Sequence, residues 1–118
     1  MQIRKIAELL DAKILCGEDH IDGAVNSACG CDMMSDVLAF VKDQAVLLTG
    51  LCNPQVVRTA EMMDMRCIVF VRGKNPTPAI ISLAEDAGIV VMATDERMYT
   101  ACGKLYANGL AGGGIENG

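Results

Sequence analysis

The stretch from residue 45 to residue 94, "AVLLTGLCNPQVVRTAEMMDMRCIVFVRGKNPTPAIISLAEDAGIVVMAT", decides the fold. Three short β-rich apolar runs stand in it, "AVLLTG" (45–50), "CIVFVRG" (67–73) and "IVVMAT" (89–94), each followed by a helical pattern. Continuous apolar runs of this length, separated by helices, are the mark of βα units whose parallel strands are covered on both faces. The units echo one another: Val46, Ile68 and Val90 begin runs 22 residues apart, and Asn-Pro recurs at 53 and 75 with the same interval. Within the helices the echo moves to 24 residues, "PQVVRTAE" against "PAIISLAE", because "TP" is inserted ahead of the second.

Helix faces extend the pattern outward. Val56, Val57, Ala60 and Met63 share one face, as do Ile80, Ile81, Ala84 and Ala87 on the next helix. Asn53 and Thr77 are expected as N-caps ahead of Pro54 and Pro78, since proline at the first helical position costs no hydrogen bond. Upstream, Ile3, Ile6, Ala7 and Leu10 predict a first helix, "AKILC" a strand, and residues 24–29 an extended stretch. "DMMSDVLAFVKD" predicts a second helix with Met34, Val37, Leu38 and Val41 inward and Asp32 as its cap. The last helix sets Met98, Ala101, Cys102, Leu105 and Tyr106 on one side, with Thr94 or Asp95 as its cap. The reading is an α/β protein, a three-layer α/β/α arrangement around a mainly parallel central sheet. One domain is expected over residues 1–108, and a flexible glycine-rich tail over 109–118.

Composition excludes several function classes. The chain has 118 residues, 52% hydrophobic, with a formal net charge of -5, two Phe, two Tyr and no Trp. That balance lacks the clustered cations and stacking aromatics of a nucleic-acid surface. No apolar run approaches a membrane span and the N-terminus has no apolar signal core, so a cytoplasmic protein is expected, with its six cysteines as free, mostly buried thiols.

Most chemical motifs are absent. A phosphate-binding P-loop needs an early Gly five residues before its Gly-Lys and a Ser or Thr after it. Here Gly73-Lys74 is followed by Asn75, and Ile68 holds the early position. His20 is the only histidine and reads as a surface residue. Cys29, Cys31 and Cys52 form the one alternative, a small redox or metal-binding site, although the spacing is not that of a zinc motif. Asp32, Ser35, Asp36 and Asp43 read as a cap and a solvated helix face, so neither metal nor cofactor is assigned.

What remains is the carboxyl edge of the sheet, where loops and helix N-termini present amides to anions. The candidate residues there are Thr49, Gly50, Asn53, Arg72, Gly73, Lys74, Asn75, Thr94 and Asp95, with Arg72 and Lys74 as the clustered cations.

The order of "IAELLDAKILCG", "CDMMSDVLAFVKDQAVLLTG", "NPQVVRTAEMMDMRCIVFVRGKNP" and "AEDAGIVVMATDERMYTACGKLY" resembles the DRTGG domain family, and among its members the small stand-alone ones similar to the N-terminal domain of HPr kinase/phosphatase. The resemblance spans about residues 2–107. It implies a three-layer α/β domain with a regulatory role. With the P-loop absent, a non-enzymatic module acting through a protein partner in a regulatory or redox pathway is expected, while the cations of the edge point to a nucleotide or other phosphorylated small molecule as ligand and the apolar composition to a homodimer. The chain departs from the family's naming motif. Leu51 and Cys52 stand after Thr49-Gly50 where Asp-Arg is typical, and Arg72, Gly73 and Lys74 replace the usual Thr-Gly-Gly.

Overall fold

The computed structural model describes residues 1–40 and 45–112. Elements follow in the order α1 (Ile3–Leu10), β1 (Lys13–Cys16), β2 (Ser27–Gly30), α2 (Met34–Phe40), β3 (Ala45–Thr49), α3 (Pro54–Met62), β4 (Cys67–Phe70), α4 (Pro78–Asp86), β5 (Val90–Ala93) and α5 (Met98–Ala107). The strands form one sheet in the order β1-β5-β4-β3-β2. Pairs β2–β3, β3–β4 and β4–β5 are parallel, while β1 lies antiparallel to β5.

Each chain step from β2 to β5 moves to the next strand in the same direction. With crossovers of one hand, that stacks α2, α3 and α4 on one face of the sheet. There Met34, Val37, Val56, Val57, Ala60, Ile80 and Ala84 meet Leu47, Ile68, Phe70 and Val91. On the other face Ile3, Ile6 and Leu10 of α1 and Ala101 and Leu105 of α5 cover Val46, Leu48, Val69, Val90 and Met92. Both faces of the middle strands are sealed, which is why β3 and β4 consist of buried residues throughout. The antiparallel β1 follows from its short link. Asp11 takes a left-handed backbone (φ 49°) and turns the chain straight from α1 into the sheet.

Some expected faces are narrower than their periodicity suggests. Met34 and Val37 are buried, but Leu38 is 40% exposed, and Val41 lies outside the described residues. Tyr106 is 71% exposed, because α5 meets the sheet through Ala101 and Leu105 and a step of one residue from Leu105 turns away from it. In the stretch expected as tail, Leu110 is 4% exposed and the Ala111 carbonyl accepts from the Ala28 amide of β2 at 3.0 Å.

Candidate functional site

The carboxyl edge of the sheet is built around two threonines. Thr49 ends β3; its hydroxyl donates to Asp32 Oδ1 (3.0 Å) and accepts from the Leu51 amide (3.1 Å). Thr94 follows β5; its hydroxyl donates to the Leu10 carbonyl (2.7 Å) and accepts from the Glu96 amide (3.2 Å). Both are buried. Between them, the chain leaving β4 is pinned on both sides. The Val71 amide donates to the Thr49 carbonyl (3.0 Å), the Arg72 amide to Glu96 O (2.7 Å) and the Gly73 amide to Thr94 O (3.0 Å).

This pinning forces two successive left-handed residues, Arg72 (φ 63°) and Gly73 (φ 70°). Glycine takes that backbone freely; for arginine it is strained, which marks the position for attention. The Arg72 side chain lies back over Gly50, so closely that a Cβ at Gly50 would collide with the guanidinium. A side chain at Gly50 would therefore displace the guanidinium from this seat.

Asp32 completes the group, and here the expectation of a helix cap is corrected. Its Oδ1 also accepts from the Gly50 amide (2.8 Å), and its Oδ2 lies 3.7 Å from Arg72 Nη2. The first turn of α2 instead folds onto Met33, whose carbonyl accepts from the Asp36 and Val37 amides. The Gly50 amide chiefly, then the Thr49 hydroxyl and Arg72, hold the Asp32 carboxyl below its ordinary pKa, against the opposing effect of partial burial. The signal for this contact is the parallel register. Gly30 pairs with Leu48, so two residues on, Asp32 reaches Gly50. That is invisible until β2 and β3 are known to be neighbours.

The remaining expected residues separate into a second group. Gly73, Asn75, Thr94 and Asp95 line a cavity of about 200 Å³ together with Ala93, Asp11 and Lys13. Sequence reasoning missed Asp11 and Lys13, because the antiparallel β1 brings its first residue, paired with Ala93, to this edge. Lys74 stands exposed and does not line that cavity. Asn53 occupies the N-cap position of α3 by backbone (φ -146°), but its side chain makes no capping bond and its buried Oδ1 has no hydrogen-bond partner among the described residues. Thr77 does cap α4, accepting from the Ile80 amide at 3.4 Å. Neither Thr94 nor Asp95 caps α5: Arg97 precedes it, and Thr94 is committed to Leu10 and Glu96. So α5 begins at Met98 rather than near Asp95.

Cys29, Cys31 and Cys52 all pack against the core beneath α2, α3 and α4. Burial pushes the Cys29 thiol up to about 11 and raises Cys52, with Lys74 and Arg72 opposing at Cys52. Among the described residues no three His, Cys, Asp or Glu side chains are arranged to hold a metal ion.

The arrangement suits an anion. Arg72 is 44% exposed, and with five N–H donors it retains several beyond its contact with Asp32. Lys74 adds a second cation.

Compared with known proteins, residues 5–107 match the profile of the DRTGG domain. No curated protein is significantly similar in sequence. Among solved structures, the fold is similar to the crystal structure of the CBS and DRTGG domains of the regulatory region of Clostridium perfringens pyrophosphatase, complexed with its activator, diadenosine tetraphosphate. The TM-score is 0.70 at 18% identity, over 88% of this chain and 45% of that one. The chain thus spans less than half the length of that neighbour, and the likeness is one of fold.

Proposed function

The chain belongs to the DRTGG domain family, and from that premise we propose that it is a regulatory, ligand-sensing module with no catalytic activity of its own. It binds a nucleotide or another phosphorylated small molecule at the carboxyl edge of the sheet, pairs with a second copy in the cytoplasm, and passes the signal to a partner protein. The observation that carries this reading is the guanidinium of Arg72, seated on Gly50 and half exposed, with Lys74 acting on the same Cys52 thiol as Arg72 does. A backbone held in a strained conformation that fixes a cation at a sheet edge is better explained by ligand binding than by packing. The family supports a regulatory role, and the neighbouring pyrophosphatase region is one that takes a nucleotide activator. Among the described residues no helix is long and apolar enough to cross a membrane.

Calorimetric titration with ATP, diadenosine tetraphosphate and sugar phosphates tests the site. At least one is expected to bind, and the Arg72→Ala, Lys74→Ala double variant is expected to lose tenfold or more in affinity, about 1.4 kcal/mol. Equal affinity in both proteins moves the site elsewhere. Incubation with ATP and Mg²⁺ is expected to release no phosphate above the buffer rate. Release abolished by Lys74→Ala contradicts the non-enzymatic reading.

A further inference from the structure

Three donors of the carboxyl edge converge on one side chain. The Gly50 amide and the Thr49 hydroxyl reach Asp32 Oδ1 at 2.8 and 3.0 Å, and Arg72 Nη2 lies 3.7 Å from Oδ2 of the same carboxylate. A backbone N–H, a hydroxyl and a guanidinium gathered round two oxygens form a seat for an oxyanion, and a side chain of the protein itself fills it. The walls of the seat are fixed. Thr49 is buried with its hydroxyl on Asp32, and the guanidinium rests on Gly50, where a Cβ would collide with it. The ion pair is the weaker part. At 3.7 Å the Asp32–Arg72 contact is beyond hydrogen-bond reach, and both side chains are 44% exposed, where such a pair contributes little.

An anion drawn to Arg72 meets this carboxylate. Either two negative charges then stand side by side, which is unfavourable, or the carboxylate leaves its seat. We propose that Asp32 is an internal counter-ion, displaced when a phosphoryl group of the ligand takes over the Gly50 amide, the Thr49 hydroxyl and Arg72. The inference rests on the anion-binding reading above and adds where the phosphoryl group sits and what its binding moves. A phosphoryl group carries more charge and more acceptor oxygens than a carboxylate, so it satisfies the same three donors more strongly. The exchange also sets a threshold, since a singly charged ligand gains little by replacing Asp32. Movement follows from the chain: Asp32 directly precedes Met33, whose carbonyl accepts the Asp36 and Val37 amides, so its release loosens the first turn of α2.

Inorganic phosphate is the probe, titrated at constant ionic strength and followed by backbone amide NMR shifts. Asp32→Ala opens the seat and is expected to bind phosphate at least about tenfold more tightly than wild type, about 1.4 kcal/mol. Asp32→Asn removes the charge but leaves a side chain in the seat, so its gain is expected to be smaller; it also carries the test if Asp32→Ala loses its circular dichroism spectrum. Asp36→Ala removes a charge from the exposed first turn of α2 without touching the three donors, and is expected to change affinity by less than about twofold. In wild type, saturating phosphate is expected to speed hydrogen exchange of the Asp36 and Val37 amides. Binding by Asp32→Ala no tighter than by wild type overturns the proposal. Equal gains in all three variants make Asp32 a background charge and overturn it as well, as does unchanged exchange at the two amides. If nucleotide or sugar phosphate binding to wild type still depends on Arg72 and Lys74, those results leave the anion site standing; if it does not, both readings fall.

Discussion

Thr49 and Thr94 stand at the carboxyl ends of two parallel strands and make the same local turn, each hydroxyl accepting the amide two residues on. They differ in what receives the hydroxyl proton. For Thr94 it is the Leu10 carbonyl at the end of α1, a neutral buried group that closes the edge. For Thr49 it is Asp32, a half-exposed carboxylate that also takes the Gly50 amide and faces Arg72. One turn, repeated in the fold, serves as a structural clasp in one place and as the base of a charged site in the other. The partner of the threonine decides which.

The contrast breaks or holds most directly on removal of the hydroxyls. Thr94→Val leaves a buried carbonyl and an amide without partners, and a loss of about 2 to 3 kcal/mol is expected, roughly 10 °C of Tm. Thr49→Val is expected to cost about 1 kcal/mol, since Asp32 keeps the Gly50 amide and access to water. Urea unfolding of the two variants side by side measures the difference. If Thr49→Val is the more damaging, the Asp32 group is a clasp as well.

The clasp and the site were unequally legible in the sequence. The βα repeats were readable because each strand is apolar throughout and each of α3 and α4 starts at a proline, both local signals. The candidate edge was readable for the same reason, because strand ends and helix starts bound it. What completes the edge comes from far along the chain: Leu10 is 84 residues from Thr94, and Asp32 is 17 from Thr49. Spacing cannot show that Asp32 leaves its helix to serve Gly50. A carboxylate ahead of a helical pattern has a capping role available locally, and only the parallel register of β2 on β3 overrides it. In the same way, Leu38 and Tyr106 share the periodicity of buried neighbours and are exposed because the helices meet the sheet along a narrower strip.

Titration separates the two threonines further. The folded protein holds the Asp32 carboxyl below its unfolded value, so its contribution to stability is fully present above about pH 4. It is lost as pH falls through the depressed folded value. The stability gap between wild type and Asp32→Asn is therefore expected to be constant from pH 5 to 8 and to close towards pH 3. The gap is expected to stay under about 1 kcal/mol, since Asp32 and Arg72 are each 44% exposed and screened by solvent. The deficit of Thr94→Val involves no charge and is expected to stay flat over the same range. Denaturant midpoints at five pH values distinguish the two; a Thr94→Val deficit that closes in acid removes the contrast.

The smallest expected effect on stability accompanies the largest on function. Arg72→Gly relieves a left-handed backbone that costs a non-glycine residue about 1 kcal/mol, and it keeps the amide bond to Glu96. Against this stand the lost packing of the guanidinium on Gly50, its long-range pair with Asp32, and a more flexible unfolded chain. These terms are of similar size, so the net change is expected to lie within about 0.5 kcal/mol of zero, while binding of a phosphorylated ligand is lost. Arg72→Lys tests geometry separately from charge. An ammonium keeps the positive charge but lacks the planar fork, and is expected to restore only part of the affinity. Urea midpoints and calorimetry on the same preparations read both quantities. A loss above about 1.5 kcal/mol in Arg72→Gly, with ligand affinity intact, makes Arg72 a fastening between the β3 and β5 loops, and the Thr49 side of the edge then becomes as structural as the Thr94 side.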